Sequence, residues 1–114
     1  MADALTFGLS PAILGDLRRV FAAYPEIEQV LIFGSRAKGN FRDGSDIDLA
    51  VFAPTMNEAA FTRLWNKLDA LPILFKMDVL HWDTLGNTRL KDKITGEGRR
   101  IFSAELQTQK GYTF

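Results

Sequence analysis

The feature that most constrains this chain is an alternation of acid and hydrocarbon, Asp46-Ile47-Asp48-Leu49-Ala50-Val51-Phe52, set just after a Gly44-Ser45 turn. Side chains two apart on a β-strand share a face. Asp46 and Asp48 are therefore expected to point together, with Ile47, Leu49 and Val51 on the opposite side. Such a strand needs a core against one face and, on the other, something that tolerates two neighbouring carboxylates.

A second strand is expected just upstream. Gln29-Val30-Leu31-Ile32-Phe33 is apolar, branched and aromatic, and it stops at Gly34, where the backbone can turn sharply. Ser35 is expected to cap a short helix through Arg36, Ala37 and Lys38 to Gly39, so that free N–H groups face whatever lies above the strand, an arrangement suited to phosphate. Two carboxylates on one face repel unless a cation lies between them, and hard oxygen ligands suit Mg²⁺ bridged to phosphates.

Gly34-Ser35, the downstream Gly39 and the Ser45-Asp46-x-Asp48-Leu49 run together resemble the signature of the DNA polymerase β-like nucleotidyltransferase superfamily. The nearest likeness is to its minimal nucleotidyltransferase (MNT) branch, and it covers most of the chain. The resemblance implies an α/β (α+β) fold, a small mixed β-sheet with helices packed on one face and catalytic groups gathered at the other. It also implies transfer of AMP from ATP to a hydroxyl, with Asp46 and Asp48 holding two Mg²⁺ ions and a third carboxylate on a neighbouring strand. Gly34 and Ser35 would contact the β- and γ-phosphates, Arg36 and Lys38 would neutralise phosphate charge, and Ser45 would shape the turn beside the nucleotide.

Asp78 is the candidate third acid. It sits inside the apolar run Phe75 to Trp82, read as a third strand, and an unpaired carboxylate on an internal strand is costly unless it is paired or metal-bound. The competing reading is a solvent-exposed acid on an edge strand. His81, three residues on, is expected on the opposite strand face as a packed or surface imidazole, and Asp83 as the cap of the next helix.

The remaining elements follow from periodicity and caps. Ser10, Pro11 and the spacing of Ile13, Leu17, Val20, Phe21 and Tyr24 predict a helix ending at Pro25. Asn57 is expected to cap a helix carrying Phe61, Leu64, Trp65 and Leu68 toward Leu71, and a last helix is expected within Leu85 to Thr95. Arg99 to Phe102 reads as a short strand or an extended tail contact. A single domain over residues 1–103 and a polar tail over 104–114 are expected.

Composition narrows the partners. The 114 residues carry 14 basic against 14 acidic side chains, so the basic excess of a nucleic-acid coat is absent and nucleic acid is not expected as the main partner. There is no cysteine, which fits a reducing compartment, and no membrane-spanning stretch is visible; the cytoplasm is the expectation. A catalytic core this short is expected to rely on a partner chain or a homo- or hetero-oligomer to complete its pocket. Small stand-alone members of the MNT branch are often encoded beside HEPN-domain proteins and act as antitoxins, some by adding AMP to a tyrosine of the partner toxin, so the resemblance implies an antitoxin that adenylylates its HEPN-type partner. A nucleotide-binding scaffold of a HEPN-type protein, with little transfer, and a small-molecule nucleotidyltransferase are the alternatives.

Overall fold

The computed structural model describes residues 5–104. Four strands, β1 (Gln29–Phe33), β2 (Ile47–Phe52), β3 (Met77–His81) and β4 (Arg99–Ser103), form one sheet in the order β3-β2-β1-β4. β1 runs antiparallel to both β2 and β4, whereas β2 and β3 are parallel. The sheet is thus mixed, as expected, and the parallel pair is joined by a crossover helix.

Helices α1 (Pro11–Ala22) and α3 (Glu58–Asp69) start where their caps predict. Ser10 accepts from the Ile13 N–H at 3.2 Å and Asn57 from the Ala60 N–H at 2.8 Å. Leu14, Leu17 and Phe21 of α1 and Ala60, Leu64 and Leu68 of α3 are buried with Val30, Ile32, Ile47, Leu49 and Val51 in the main core. Trp65 stays 41% exposed, because the buried stripe of α3 runs through Leu64 and Leu68 and leaves it at the margin.

The other sheet face carries a smaller cluster of Leu31, Phe33, Ala50 and Ile94. Ile94 belongs to α4 (Thr88–Glu97), capped by Asn87, whose Oδ1 accepts from the Leu90 N–H at 3.0 Å. α1 and α3 therefore share one face, and α4 lies over part of the other, the face on which Asp48 stands.

Three local expectations are corrected. Ser35 is the first residue of α2 (Ser35–Lys38), and Gly34, with no side chain to donate to, occupies the cap position. Asp83 caps no helix: it lies in the 3-10 turn Trp82–Thr84, and its Oδ2 accepts from the Ala53 N–H at 2.7 Å. β3 is an edge strand and Asp78 is exposed, so the burial cost argued for it on an internal strand does not arise. Among the described residues no helix is long and apolar enough to cross a membrane. The tail expected over 104–114 lies outside the described residues apart from Ala104.

Candidate active site

The acid face is assembled by strand register. Asp48 of β2 is paired with Phe33 of β1 on one side and with Asp78 of β3 on the other, so the two carboxyls stand on adjacent strands and, by pleat alternation, on one face. Asp46 lies immediately ahead of β2. Asp46 and Asp48 are half-buried and Asp78 is exposed. Among the described residues none of the three is ion-paired.

The electrostatic consequence falls on Asp48. Burial, then the charges of Asp78 and Asp46 and a hydrogen bond with Asp78, push its carboxyl up to about 6, and Lys93 pulls the other way. The group is poised to lose its proton once a cation replaces the repulsion of its neighbours.

Gly34 fits against this carboxyl. Its backbone has φ 76 and ψ −152, a conformation that L side chains rarely adopt. A Cβ there would stand 2.5 Å from Asp48 Oδ2. The turn favours glycine, and a side chain there would also have to push the Asp48 carboxyl aside.

The other expected residues fall in different places. Ser35 opens α2 directly beyond Gly34. Lys38 is exposed at the end of α2 and borders a shallow groove with Gly98 and Arg99. Ser45 closes the turn before Asp46: its N–H donates to Arg42 O at 3.0 Å and its Oγ accepts from the Arg42 N–H at 2.8 Å. Arg36 does not extend into solvent. It is 2% exposed, and its guanidinium donates to the carbonyls of Ser45 and Phe7, which leaves it a packing position in place of the expected phosphate-facing one.

His81 lies away from the acids. It is buried and stacked on Phe61 at 5.1 Å, with Nε2 2.8 Å from Ala53 O; the expected packed imidazole is what the fold contains. No sequence motif singles out Lys93. Its neighbour Ile94 anchors α4 over Leu31 and Phe33, and only that packing brings the lysine's charge within reach of Asp48.

The donor set suits a hard divalent cation, since Asp46, Asp48 and Asp78 offer only carboxylate oxygens. They are not yet gathered around one point: among the described residues no group of three or more acidic or histidine side chains forms a ready metal cage. The residues fit the ion in chemistry, and rotamer changes would have to bring them onto it.

This geometry, a glycine-serine turn facing acids on the next two strands, meets a family-level match. The family model described as Polymerase beta, Nucleotidyltransferase matches residues 16–107. The chain belongs to this family. No curated protein matches the sequence of this nucleotidyltransferase-family chain. In structure it is similar to a toxin–antitoxin solved with AMP-PNP, at 23% identity over 79% of this chain and 73% of that one, TM-score 0.65. It is similar also to a mutant form of the MntA–HepT toxin–antitoxin, at 26% identity over 81% and 71%, TM-score 0.60. A third likeness is to the tri-AMPylated HEPN toxin of Shewanella oneidensis in complex with MNT antitoxin, at 19% identity over 86% and 76%, TM-score 0.61.

Proposed function

We propose that this chain moves the AMP unit of ATP onto a hydroxyl of a protein acceptor, a tyrosine of a HEPN-type partner, and so acts as the antitoxin of a two-component system in the cytoplasm. The observation that carries the reading is the carboxyl of Asp48, facing Asp78 across the parallel strand pair, following Asp46, and packed against the bare backbone of Gly34. The similarity to complexes solved with AMP-PNP or with an AMPylated HEPN toxin supports the choice of nucleotide and acceptor.

Asp46, Asp48 and Asp78 would hold two Mg²⁺ ions, which when bound supply charge neutralisation at the triphosphate and a lower pKa for the acceptor hydroxyl. Gly34 offers close backbone approach and Ser35 its hydroxyl and N–H to the β- and γ-phosphates, with Lys93 and Lys38 as flanking positive charge. The acceptor oxygen forms the new bond to the α-phosphorus as the bond to the β-phosphate oxygen breaks, and pyrophosphate leaves. Asp78, the exposed acid of the three, would take the hydroxyl proton.

The scaffold reading, nucleotide binding with little transfer, draws on the acids' not being gathered into a cage. Intact mass of a purified HEPN-type partner, after incubation with this chain, ATP and Mg²⁺, separates the two. AMP-sized increments on a tyrosine, lost with Asp46→Asn and Asp48→Asn, support transfer. A neutralised toxin of unchanged mass, equally neutralised by both variants, supports the scaffold.

A further inference from the structure

Arg36 is a buried cation that the proposed chemistry does not use. Its Nε and Nη2 donate to Ser45 O at 3.1 and 2.8 Å, and its Nη1 donates to Phe7 O at 2.9 Å. The rings of Phe75 and Phe41 lie 4.6 and 5.2 Å from the guanidinium carbon. A planar guanidinium can satisfy carbonyls in its plane while aromatic rings approach it; the ammonium of lysine cannot reproduce that fork. Among the described residues Arg36 has no ion pair, so a full charge is buried on carbonyls and rings. Burial lowers its pKa, and the nearby charges of Asp43, Asp46 and Asp48 act in the opposite sense.

What this costly arrangement joins is specific. Arg36 follows the Gly34-Ser35 turn, Ser45 immediately precedes Asp46, and Phe7 belongs to the turn Thr6–Leu9, closed by Thr6 N–H to Leu9 O at 3.0 Å and Leu9 N–H to Thr6 O at 2.8 Å. Within that turn Phe7 has φ 58 and Gly8 φ 73. A Cβ on Gly8 would stand 2.7 Å from Arg36 Nη1 and closer still to the ring of Phe41. The turn is seated on the guanidinium, and a methyl group at Gly8 would have to displace Arg36 or the Phe41 ring while adopting a positive φ that L side chains rarely take.

We infer that Arg36 and the turn Thr6–Leu9 form a clasp that positions Asp46: the arginine is a positioning residue, not a phosphate ligand, and the turn acts on the acid face through it. The clasp is a property of the backbone between Ser45 and Ile47; only its effect on cation binding rests on the function proposed above.

The test uses the full chain with Gly8→Ala, Arg36→Lys and, as a control on the exposed side of α3, Arg63→Ala. Amide NMR of each protein without metal is followed by titration with Mn²⁺. The clasp predicts shifted Ser45, Asp46 and Ile47 amides in Gly8→Ala and Arg36→Lys but not in the control. It also predicts Mn²⁺ affinity at the acid face weaker on the order of tenfold, although Arg36→Lys keeps the charge. Should Arg36→Lys fail to fold, Gly8→Ala carries the same comparison. Unmoved Ser45–Ile47 amides in Gly8→Ala overturn the clasp, and shifted amides with unchanged Mn²⁺ affinity overturn the positioning role. A wild type that binds no Mn²⁺ contradicts the proposed function, while shifted amides in the variants would still support the clasp.

Discussion

The two faces of β2 differ in what they are for. On one, Ile47, Leu49 and Val51 are each 0% exposed beneath α1 and α3. On the other, Ala50 lies under α4, but Asp48, two residues earlier, lies beside exposed Asp78 with its pKa pushed up. Stability is concentrated on the face covered by two helices, and polar chemistry on the face whose edge is left open. Alternation along a single strand lets one short segment serve both without compromise, provided the open end finds a cation or a partner.

Asp48→Asn should separate the two faces most. AMP transfer should fall by roughly three orders of magnitude or more, as measured with ATP labelled on its α-phosphate, while the metal-free thermal midpoint at pH 7 rises, because a repelled carboxylate has been removed. Leu49→Ala, one residue on, should do the reverse. It should cost about 3 kcal/mol in urea unfolding, with transfer per folded molecule little changed.

Gly34→Ala should blur the two faces. The left-handed backbone makes any side chain there cost on the order of 1–3 kcal/mol, and the added methyl group meets Asp48 Oδ2. ATP affinity, measured by calorimetry at a temperature where the variant is folded, should weaken along with stability.

The acid face also titrates. A carboxyl held above its unfolded value binds its proton more tightly in the folded state, so the folded state is favoured at low pH and that advantage is lost as pH rises from about 4 through about 6. Thermal midpoints of the metal-free protein should fall across that window. The difference between wild type and Asp48→Asn, which lacks this titration, isolates the contribution.

Much of the fold was legible because its signals are local. Ser10, Asn57 and the runs 29–33 and 47–52 carry their own caps and periods, and the alternation at Asp48 placed acid and core on opposite faces. What was not legible is set by contacts between distant segments. The edge position of β3 depends on strand order, which no stretch of sequence encodes by itself. Arg36 reads as a phosphate-facing basic residue until Phe7, Phe41 and Phe75, from three separate segments, close around it. Lys93 becomes relevant only through the packing of α4. Ser35 has the side chain of a cap, but the glycine before it occupies that position.

The most direct test of the acid face is the NMR titration of the Asp48 side-chain carboxyl, with and without Mg²⁺. The expected result is a pKa of about 6 in the metal-free protein, shifting clearly downward when Mg²⁺ is added. A carboxyl that titrates at the ordinary value of 3.8 and ignores Mg²⁺ would contradict it.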